Sequence, residues 1–482
     1  MQEPRQIIAT GVPGLDTILG GGLPARQTLV VTGNPGTGKT LLCSQIAFAQ
    51  AARGVPVVVA TVTSEPHDKL LDELSAFAFF DEKRLGEEMF FLSAYPWLKK
   101  GAKDARELIL GTVRERNARL IFIDGLRSIR DLWADEAKLR EFMYDLGVGL
   151  SASNCVGLMS TEYEVDRLMG YPEATTVDGI ISLSVARKGP RRVRHAEVVK
   201  LRGRAHLSGA HTLAISGSGV EVYPRFESVA VRDAGYAPSK GRAGFGLAEL
   251  DKLLDGGLPR DSATLIVGST GIGKTLLALH FASAGAGEKG LFLSFYEPAR
   301  SLVERAKRIG LELESRVATG ELVIDYAPPI ELDADRLITG ILRQIDSLGA
   351  RRLVIDGISE LERAIGEEER VRDFLVALLL ETRRRSVSII FTKEIAKIAG
   401  AELDFSETPT SLIAENLLFL RHVEMNGRLH RILSILKMRA SSYDANLREF
   451  EITGKGFAVL EPLRTATGLL TGLPRPVSAG AT

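Results

Sequence analysis

Short apolar runs alternate with amphipathic stretches along the chain. In the first half, apolar runs cover residues 28–33, 56–63, 89–94, 119–124 and 154–161, and stretches with helical spacing cover 39–52, 67–79 and 105–117. Runs that are apolar on both faces and alternate with helices are typical of parallel strands buried between two helical layers. The pattern predicts an α/β fold with a mostly parallel sheet flanked by helices.

The second half repeats this pattern, with apolar runs at residues 263–268, 290–295, 351–356 and 386–392. Each half then contains a strand-like segment, at 194–202 and at 431–439, that we expect to add an antiparallel strand to its sheet. Motifs recur with the same spacing: GVPGLDTILGGGLP begins at Gly11, and GLAELDKLLDGGLP begins at Gly246. Self-similarity over most of the chain indicates a duplicated domain. We expect domains at 1–228 and 244–460, a linker at 229–243 and a flexible C-terminal tail at 461–482.

Each half carries one glycine-rich loop of the form G-x-x-x-x-G-K-[ST], between an apolar run and a helical stretch. Backbone N–H groups of such a loop close around phosphate oxygens, its lysine reaches the β- and γ-phosphates, and its hydroxyl binds Mg²⁺. The loops predict two sites for ATP and Mg²⁺. Their residues are Gly33, Asn34, Pro35, Gly36, Thr37, Gly38, Lys39 and Thr40 in the first copy, and Gly268, Ser269, Thr270, Gly271, Ile272, Gly273, Lys274 and Thr275 in the second.

Asp124 and Asp356 each end a buried apolar run, at equivalent places in the two copies. A carboxylate at the carboxyl end of a parallel strand lies at the crevice where ligands bind. We expect these aspartates, with Thr40 and Thr275, to hold the magnesium shell. The alternative is that each aspartate only caps the helix that follows.

Glu65 and Glu297 occupy equivalent positions, each after an apolar run and before a proline. Hydrolysis needs a base that orients water, and these glutamates are our candidates. Alternatively, each one only sits at a helix start, where the helix dipole favours a negative charge.

A Lys-x-Arg pair also recurs, as Lys200 with Arg202 and as Lys437 with Arg439. Side chains alternate along a strand, so both members of a pair lie on one face. In a ring of such domains, that face could point at the γ-phosphate of a neighbour, where a cation stabilises transferring charge. The alternative is a solvated strand edge that carries lysine against aggregation.

Charge and composition narrow the class of protein. Among 482 residues, Lys+Arg and Asp+Glu both total 61, and only two cysteines are present. A balanced charge gives no general attraction to nucleic acid or to anionic membrane, and few cysteines argue against a disulfide scaffold. No stretch approaches the roughly 18 apolar residues of a membrane span. We expect a soluble cytoplasmic protein that binds neither membrane nor nucleic acid.

The GGLP segments, the duplicated loops, and the segments KLRGRAH and KMRASSYDANLREFEIT resemble the KaiC family of tandem ATPases, over about residues 5–460. The resemblance implies two RecA-like domains, a homohexameric double ring, and Lys200, Arg202, Lys437 and Arg439 acting on a neighbour's nucleotide. It also implies a role in signalling or timing, with Ser/Thr autokinase activity in the second copy. The phosphorylated pair of the clock protein corresponds to Ser411 and Leu412, with Thr410 adjacent, and the tail is a candidate site for a regulatory protein.

The chain departs from that family pattern in its candidate glutamates, in its phosphorylation pair and in its tail, and these departures keep other functions open. Each copy has one candidate glutamate where the clock protein has two, and Leu412 replaces its threonine. The alternatives are a DNA recombination or helicase motor and a scaffold that binds ATP without hydrolysis. A motor wants a basic loop after the metal-binding aspartate, whereas residues 357–372 are acidic. The alternative for Ser411 is a purely structural role, as the N-cap of a helix.

Overall fold

The computed structural model describes residues 6–62, 67–230, 239–285, 287–395, 409–425, 427–439, 441–454, 456–462, 466–467 and 475–476. The chain divides into two compact units, residues 1–228 and 229–482. No helix among the described residues is long and apolar enough to cross a membrane.

The first unit alternates strands and helices as its apolar pattern predicts. Its strands are β1 (Ile7–Ile8), β2 (Leu23–Pro24), β3 (Thr28–Thr32), β4 (Val57–Thr61), β5 (Met89–Ser93), β6 (Leu120–Asp124), β7 (Val156–Thr161), β8 (Gly179–Lys188), β9 (Arg191–Leu201), β10 (His211–Ser216) and β11 (Gly219–Tyr223). Its helices are α1 (Leu15–Ile18), α2 (Lys39–Ala51), α3 (His67–Leu74), α4 (Tyr95–Lys100), α5 (Ala102–Glu115), α6 (Leu126–Trp133), α7 (Glu136–Ala152), α8 (Val165–Met169) and α9 (Pro172–Thr176), and α10 (Phe226–Val229) follows.

Nine of these strands form one mixed sheet in the order β11-β10-β9-β8-β3-β7-β6-β4-β5. In the part of this order that runs from β8 through β3 to β5, neighbouring strands are parallel. Strands β9, β10 and β11 are each antiparallel to their neighbours. Neighbouring residues of one strand enter different hydrophobic clusters: Leu29 and Val31 pack on one face, and Val30 packs on the other. The sheet is therefore covered on both faces, which explains why its strands read as continuous apolar runs.

The second unit repeats this architecture. Its strands are β12 (Arg242–Ala243), β13 (Leu258–Pro259), β14 (Ala263–Gly268), β15 (Gly290–Ser294), β16 (Leu322–Tyr326), β17 (Arg352–Asp356), β18 (Ser388–Glu394), β19 (Asn416–Met425), β20 (Arg428–Met438), β21 (Arg448–Thr453), β22 (Gly456–Pro462), β23 (Ala466–Thr467) and β24 (Arg475–Pro476). Its helices are α11 (Ala248–Leu253), α12 (Lys274–Ser283), α13 (Ala299–Arg308), α14 (Glu314–Ala318), α15 (Ala334–Leu348), α16 (Ile358–Ile365), α17 (Glu368–Arg384) and α18 (Pro409–Ile413).

The second nine-stranded sheet has the order β16-β15-β17-β18-β14-β19-β20-β21-β22. The predicted fold class, two tandem α/β domains with added antiparallel strands, is confirmed. Two spans predicted as linker and tail also contain paired strands. Strand β12, at the end of the predicted linker, pairs with β13 of the second domain, and β23 pairs with β24 inside the predicted tail.

The second unit also buries a cation that its apolar pattern does not reveal. The Arg352 side chain is 3% exposed and forms an ion pair with Glu288, with 2.8 Å between Nε and Oε2. Its Nη1 donates to the carbonyl oxygens of Gly244, at 2.6 Å, and Phe281, at 3.0 Å. Burial lowers the pKa of Arg352, and Glu288 opposes that effect. The guanidinium thus connects the start of β17 to α12 and to Gly244, near the start of the second unit.

We predict that Arg352→Ala lowers the free energy of unfolding of the second unit by about 3–5 kcal/mol, because it leaves the Glu288 carboxylate and two carbonyls without their buried partner. Both tryptophans of the chain, Trp97 and Trp133, lie in the first unit. In urea, circular dichroism should therefore show an early transition that tryptophan fluorescence does not follow. The exposed neighbour variant Arg351→Ala is the control, and equal effects of the two variants would contradict this role.

Candidate active sites

Each glycine-rich loop connects a buried strand to a helix at the carboxyl edge of its sheet. The first loop joins β3 to α2, and the second joins β14 to α12. A Cβ atom at Gly33 would lie 2.1 Å from the carbonyl oxygen of Leu183, and one at Gly268 would lie 2.5 Å from that of Leu420. Only glycine permits this close approach to the neighbouring strand. The strand pairing itself therefore requires the first glycine of each motif.

The loop lysines fold over their own loops. Lys39 Nζ donates to the Asn34 carbonyl at 3.0 Å, and Lys274 Nζ donates to the carbonyls of Gly268 and Ser269 at 2.9 and 2.8 Å. Burial lowers the pKa of both lysines, and nearby carboxylates oppose that effect. Each ammonium group is thus held at the centre of a loop whose backbone surrounds it.

Two predicted loop residues turn their side chains inward. Thr37 is 1% exposed and donates its hydroxyl to the Asn34 carbonyl, and the equivalent Ile272 is fully buried in the hydrophobic core. Only their backbone groups can face a ligand, whereas their side chains anchor the loop. Asn34 and Thr270 instead bond outward, to Glu164 at 2.6 Å and to Glu394.

The hydroxyl that ends each motif meets the predicted aspartate. Thr40 Oγ1 lies 3.2 and 3.3 Å from the two carboxylate oxygens of Asp124, and Thr275 Oγ1 lies 3.2 and 2.9 Å from those of Asp356. Burial raises the pKa of both aspartates, and the hydroxyl hydrogen bonds partly offset it. A hydroxyl and a buried carboxylate side by side are the oxygen ligands that Mg²⁺ accepts, together with phosphate oxygens and water. Among the described residues, no cluster of three or more His, Cys, Asp or Glu competes for a metal.

A second hydroxyl in each site was not predicted from the sequence. Ser160, near the end of β7, donates to Asp124, and Thr392, near the end of β18, donates to Asp356 at 2.6 Å. The same hydroxyls accept from the backbone N–H of Gly125 at 3.0 Å and Gly357 at 2.8 Å. The sequence did contain a signal for these residues, because a hydroxyl side chain recurs where the apolar runs 154–161 and 386–392 end. These residues fix the orientation of the carboxylates.

A cavity of about 830 Å³ opens at the first site. Its lining includes the loop lysine, Thr40, Asp124 and Ser160, together with Lys69 and Glu73 from α3. A concave pocket with a few convergent polar groups is the expected form of a small-ligand site.

Of the two candidate bases, the structure describes only Glu297. Glu65 lies outside the described residues. Glu297 follows β15, and its backbone N–H donates to Ser294 Oγ at 3.1 Å. Its carboxylate forms an ion pair with Arg305 of α13, with 2.5 Å between Oε1 and Nη1.

The Lys-x-Arg pairs lie at the opposite edge of each sheet from the loops. Lys200 is paired with Ile180 near the start of β8, and Lys437 is paired with Leu417 near the start of β19. Their ammonium groups donate to carbonyls that precede these strands: Lys200 to Ala174 at 2.8 Å and Val177 at 2.7 Å, and Lys437 to Ala414 at 2.6 Å.

The two arginines lie beside these lysines. Arg202 donates to the Thr175 carbonyl at 3.0 Å, and the backbone N–H of Arg439 donates to the Glu415 carbonyl at 3.2 Å. From Thr264 at the start of β14 to Gly268 in its loop, the chain runs four residues, or about 13 Å. The structure therefore does not bring either pair to the loop of its own copy.

The candidate phosphorylation residues lie on α18. Thr410 is fully buried, and its hydroxyl donates to Glu362, which also forms an ion pair with Lys393 at 2.9 Å. Ser411 is only partly buried. Both residues precede β19 along the chain.

Comparison with known proteins agrees with this geometry. A family model described as "ATPase: KaiC" matches residues 8–227 and again residues 244–464. The circadian clock oscillator protein KaiC of Picosynechococcus sp. is 27% identical, over 98% of this chain and 93% of the relative. The protein of that name from Thermostichus vulcanus is 28% identical over 98% and 92%, and the circadian clock protein KaiC3 of Synechocystis sp. is 27% identical over 97% and 94%. With both copies of its duplicated site matched, the chain belongs to the KaiC family of ATPases.

Proposed function

We propose that this chain forms a homohexameric double ring that binds ATP with Mg²⁺ and hydrolyses it in both copies, and that it phosphorylates itself in the second copy. The observation that carries the proposal is the repeated constellation of loop lysine, loop threonine, strand-end aspartate and supporting hydroxyl. Relatives named as clock proteins support a role in signalling or timing.

Each residue has a chemical task in this proposal. The loop N–H groups and Lys39 or Lys274 hold the phosphates, and Thr40 with Asp124, or Thr275 with Asp356, holds the metal. Bound Mg²⁺ would neutralise charge on the β- and γ-phosphates. Glu65 and Glu297 accept the proton of the attacking water. Cytoplasmic location and a regulatory protein partner on residues 461–482 belong to the same proposal.

The ring follows from the edge at which the Lys-x-Arg pairs lie. Because Lys200, Arg202, Lys437 and Arg439 are remote from their own loops, they act on a nucleotide only if another subunit presents its carboxyl edge to them. Such a head-to-tail contact is heterologous, and it closes into a ring when the rotation between subunits allows. A site completed between subunits also makes assembly depend on nucleotide.

Ser411 is favoured over Thr410 as the acceptor of the phosphoryl group. A phosphate on Thr410 would enter a buried place against the carboxylate of Glu362, where like charges repel. Ser411 avoids that position, and its helix directly precedes β19, the strand that pairs with Lys437. We expect the γ-phosphate of a neighbouring subunit to be its donor.

We predict that Glu65→Gln and Glu297→Gln each slow phosphate release by their own copy by roughly 10²-fold, with nucleotide affinity nearly unchanged. A glutamine keeps the shape but loses the basic carboxylate. Phosphate release and nucleotide binding of both single variants and the double variant measure this effect. Unchanged turnover in the double variant would mean that the base lies elsewhere, and absence of turnover in the parent would favour the scaffold.

We predict that two inactive variants restore each other when mixed. Both variants carry Glu297→Gln, so that turnover reports on the first copy. One variant adds Lys39→Ala, which removes phosphate binding, and the other adds Arg202→Ala, which removes the residue that acts on the neighbour. After random mixing of subunits, about one quarter of the interfaces combine an intact loop with an intact arginine. Phosphate release should return to about that fraction. Equal mixtures that stay inactive, although sedimentation shows mixed rings, would exclude action between subunits.

We predict that incubation with ATP and Mg²⁺ places phosphate on Ser411 and none on Thr410. Mass spectrometry of residues 406–416 measures it, with Lys274→Ala as the variant that should abolish the label and Lys39→Ala as the control that should keep it in assembled rings. Ser411→Ala should leave the peptide unlabelled. Phosphate release without label in this peptide would leave a hydrolase without kinase activity.

A further inference from the structure

The candidate base of the second copy is restrained by a cation from its own domain. Glu297 directly precedes Pro298, the N-cap of α13, and Arg305 lies two helical turns further along this helix. Helical side chains lean toward the N-terminus, so the guanidinium reaches back to the carboxylate. The ion pair is short, at 2.5 Å, and it is partly exposed, with 50% of the Arg305 side chain and 30% of the Glu297 side chain accessible.

Arg305 also faces the metal-binding side of this site. Its charge lowers the pKa of Asp356, as does that of Lys274, against the larger effect of burial. Arg305 therefore lies near enough to Asp356 for the two charges to interact. Lys274 interacts with Asp356 in the same way, and Glu394 interacts with Lys274.

The first copy has a different residue at this place. The helices α3 and α13 begin at equivalent positions, His67 and Ala299, and the equivalent of Arg305 is Glu73. Glu73 lines the cavity of the first site, where the cation from this helix is Lys69, one turn earlier. An arginine at this point of the helix is thus specific to the second copy.

We propose that Arg305 is a positioning residue that holds Glu297 away from water and thereby slows hydrolysis in the second copy. The inference rests on the proposed role of Glu297 as base. In hydrolysis, the water oxygen forms a bond to the γ-phosphorus, the bond to the ADP oxygen breaks, and the water proton passes to the Glu297 carboxylate. Pairing with a guanidinium occupies a carboxylate oxygen, which then cannot accept the water proton. An exposed pair of this kind is weak, so the restraint is reversible.

This restraint slows hydrolysis in the second copy relative to an unrestrained site, so the nucleotide remains bound there for longer.

The test uses full-length protein with Lys39→Ala, so that the second copy alone turns over, and sedimentation confirms assembly. Arg305→Ala should raise phosphate release by about threefold to tenfold. Arg305→Lys, which keeps the charge, should stay close to the parent. Arg300→Ala is the matched control, since Arg300 lies on the same helix, is 91% exposed and pairs with Glu304.

Two outcomes separate this inference from the function on which it rests. If Glu297→Gln leaves turnover unchanged in the same background, the base is not Glu297, and both proposals fall. If Glu297→Gln abolishes turnover but Arg305→Ala slows it, or leaves the rate unchanged, only the restraint is excluded. A slowed rate would instead identify Arg305 as a ligand of the nucleotide.

Discussion

All parallel strands of a sheet end at the same edge, and this constraint organises both units of the protein. The phosphate loops, the aspartates and their supporting hydroxyls follow strands that run in one direction, so they meet at the carboxyl edge. The antiparallel strands β9 and β20 run back, and they carry the Lys-x-Arg pairs to the amino edge. One face of each unit thus holds the candidate nucleotide site, and the opposite face holds the cations that we propose complete the site of a neighbour.

Burial of the charged carboxylates at the strand ends costs free energy of folding, and their hydrogen bonds and neighbouring cations offset this cost only in part. Asp124 and Asp356 are buried enough that their pKa values rise, although two hydroxyls and a lysine act on each. Proteins retain such strained charges mostly at functional sites. A bound divalent cation would relieve the cost, which couples the stability of the site to its ligand.

The two copies differ in the contact between two helices within each unit, which are α6 and α9 in the first unit and α16 and α18 in the second. In the first unit, Arg130 of α6 forms an ion pair with the buried Glu173 of α9. At the equivalent places of the second unit, Glu362 of α16 accepts from the hydroxyl of Thr410 on α18. The charged groups are reversed, and a hydroxyl replaces a carboxylate. Together with Arg305 in place of Glu73, this difference gives the second copy different charged groups on a common scaffold.

The sequence by itself determined the duplication, the fold class and the membership of both loops and both aspartates in the sites, because these follow from local patterns repeated at a constant spacing. The tertiary structure decided the rest. It revealed Ser160 and Thr392 as partners of the aspartates, paired Glu297 with Arg305, and set Lys200 and Lys437 at the edge remote from their own loops. It also distinguished Thr410, buried against Glu362, from its neighbour Ser411. These facts depend on strand order and on which side chains meet across a sheet, and such contacts join residues far apart in the chain that no local pattern connects.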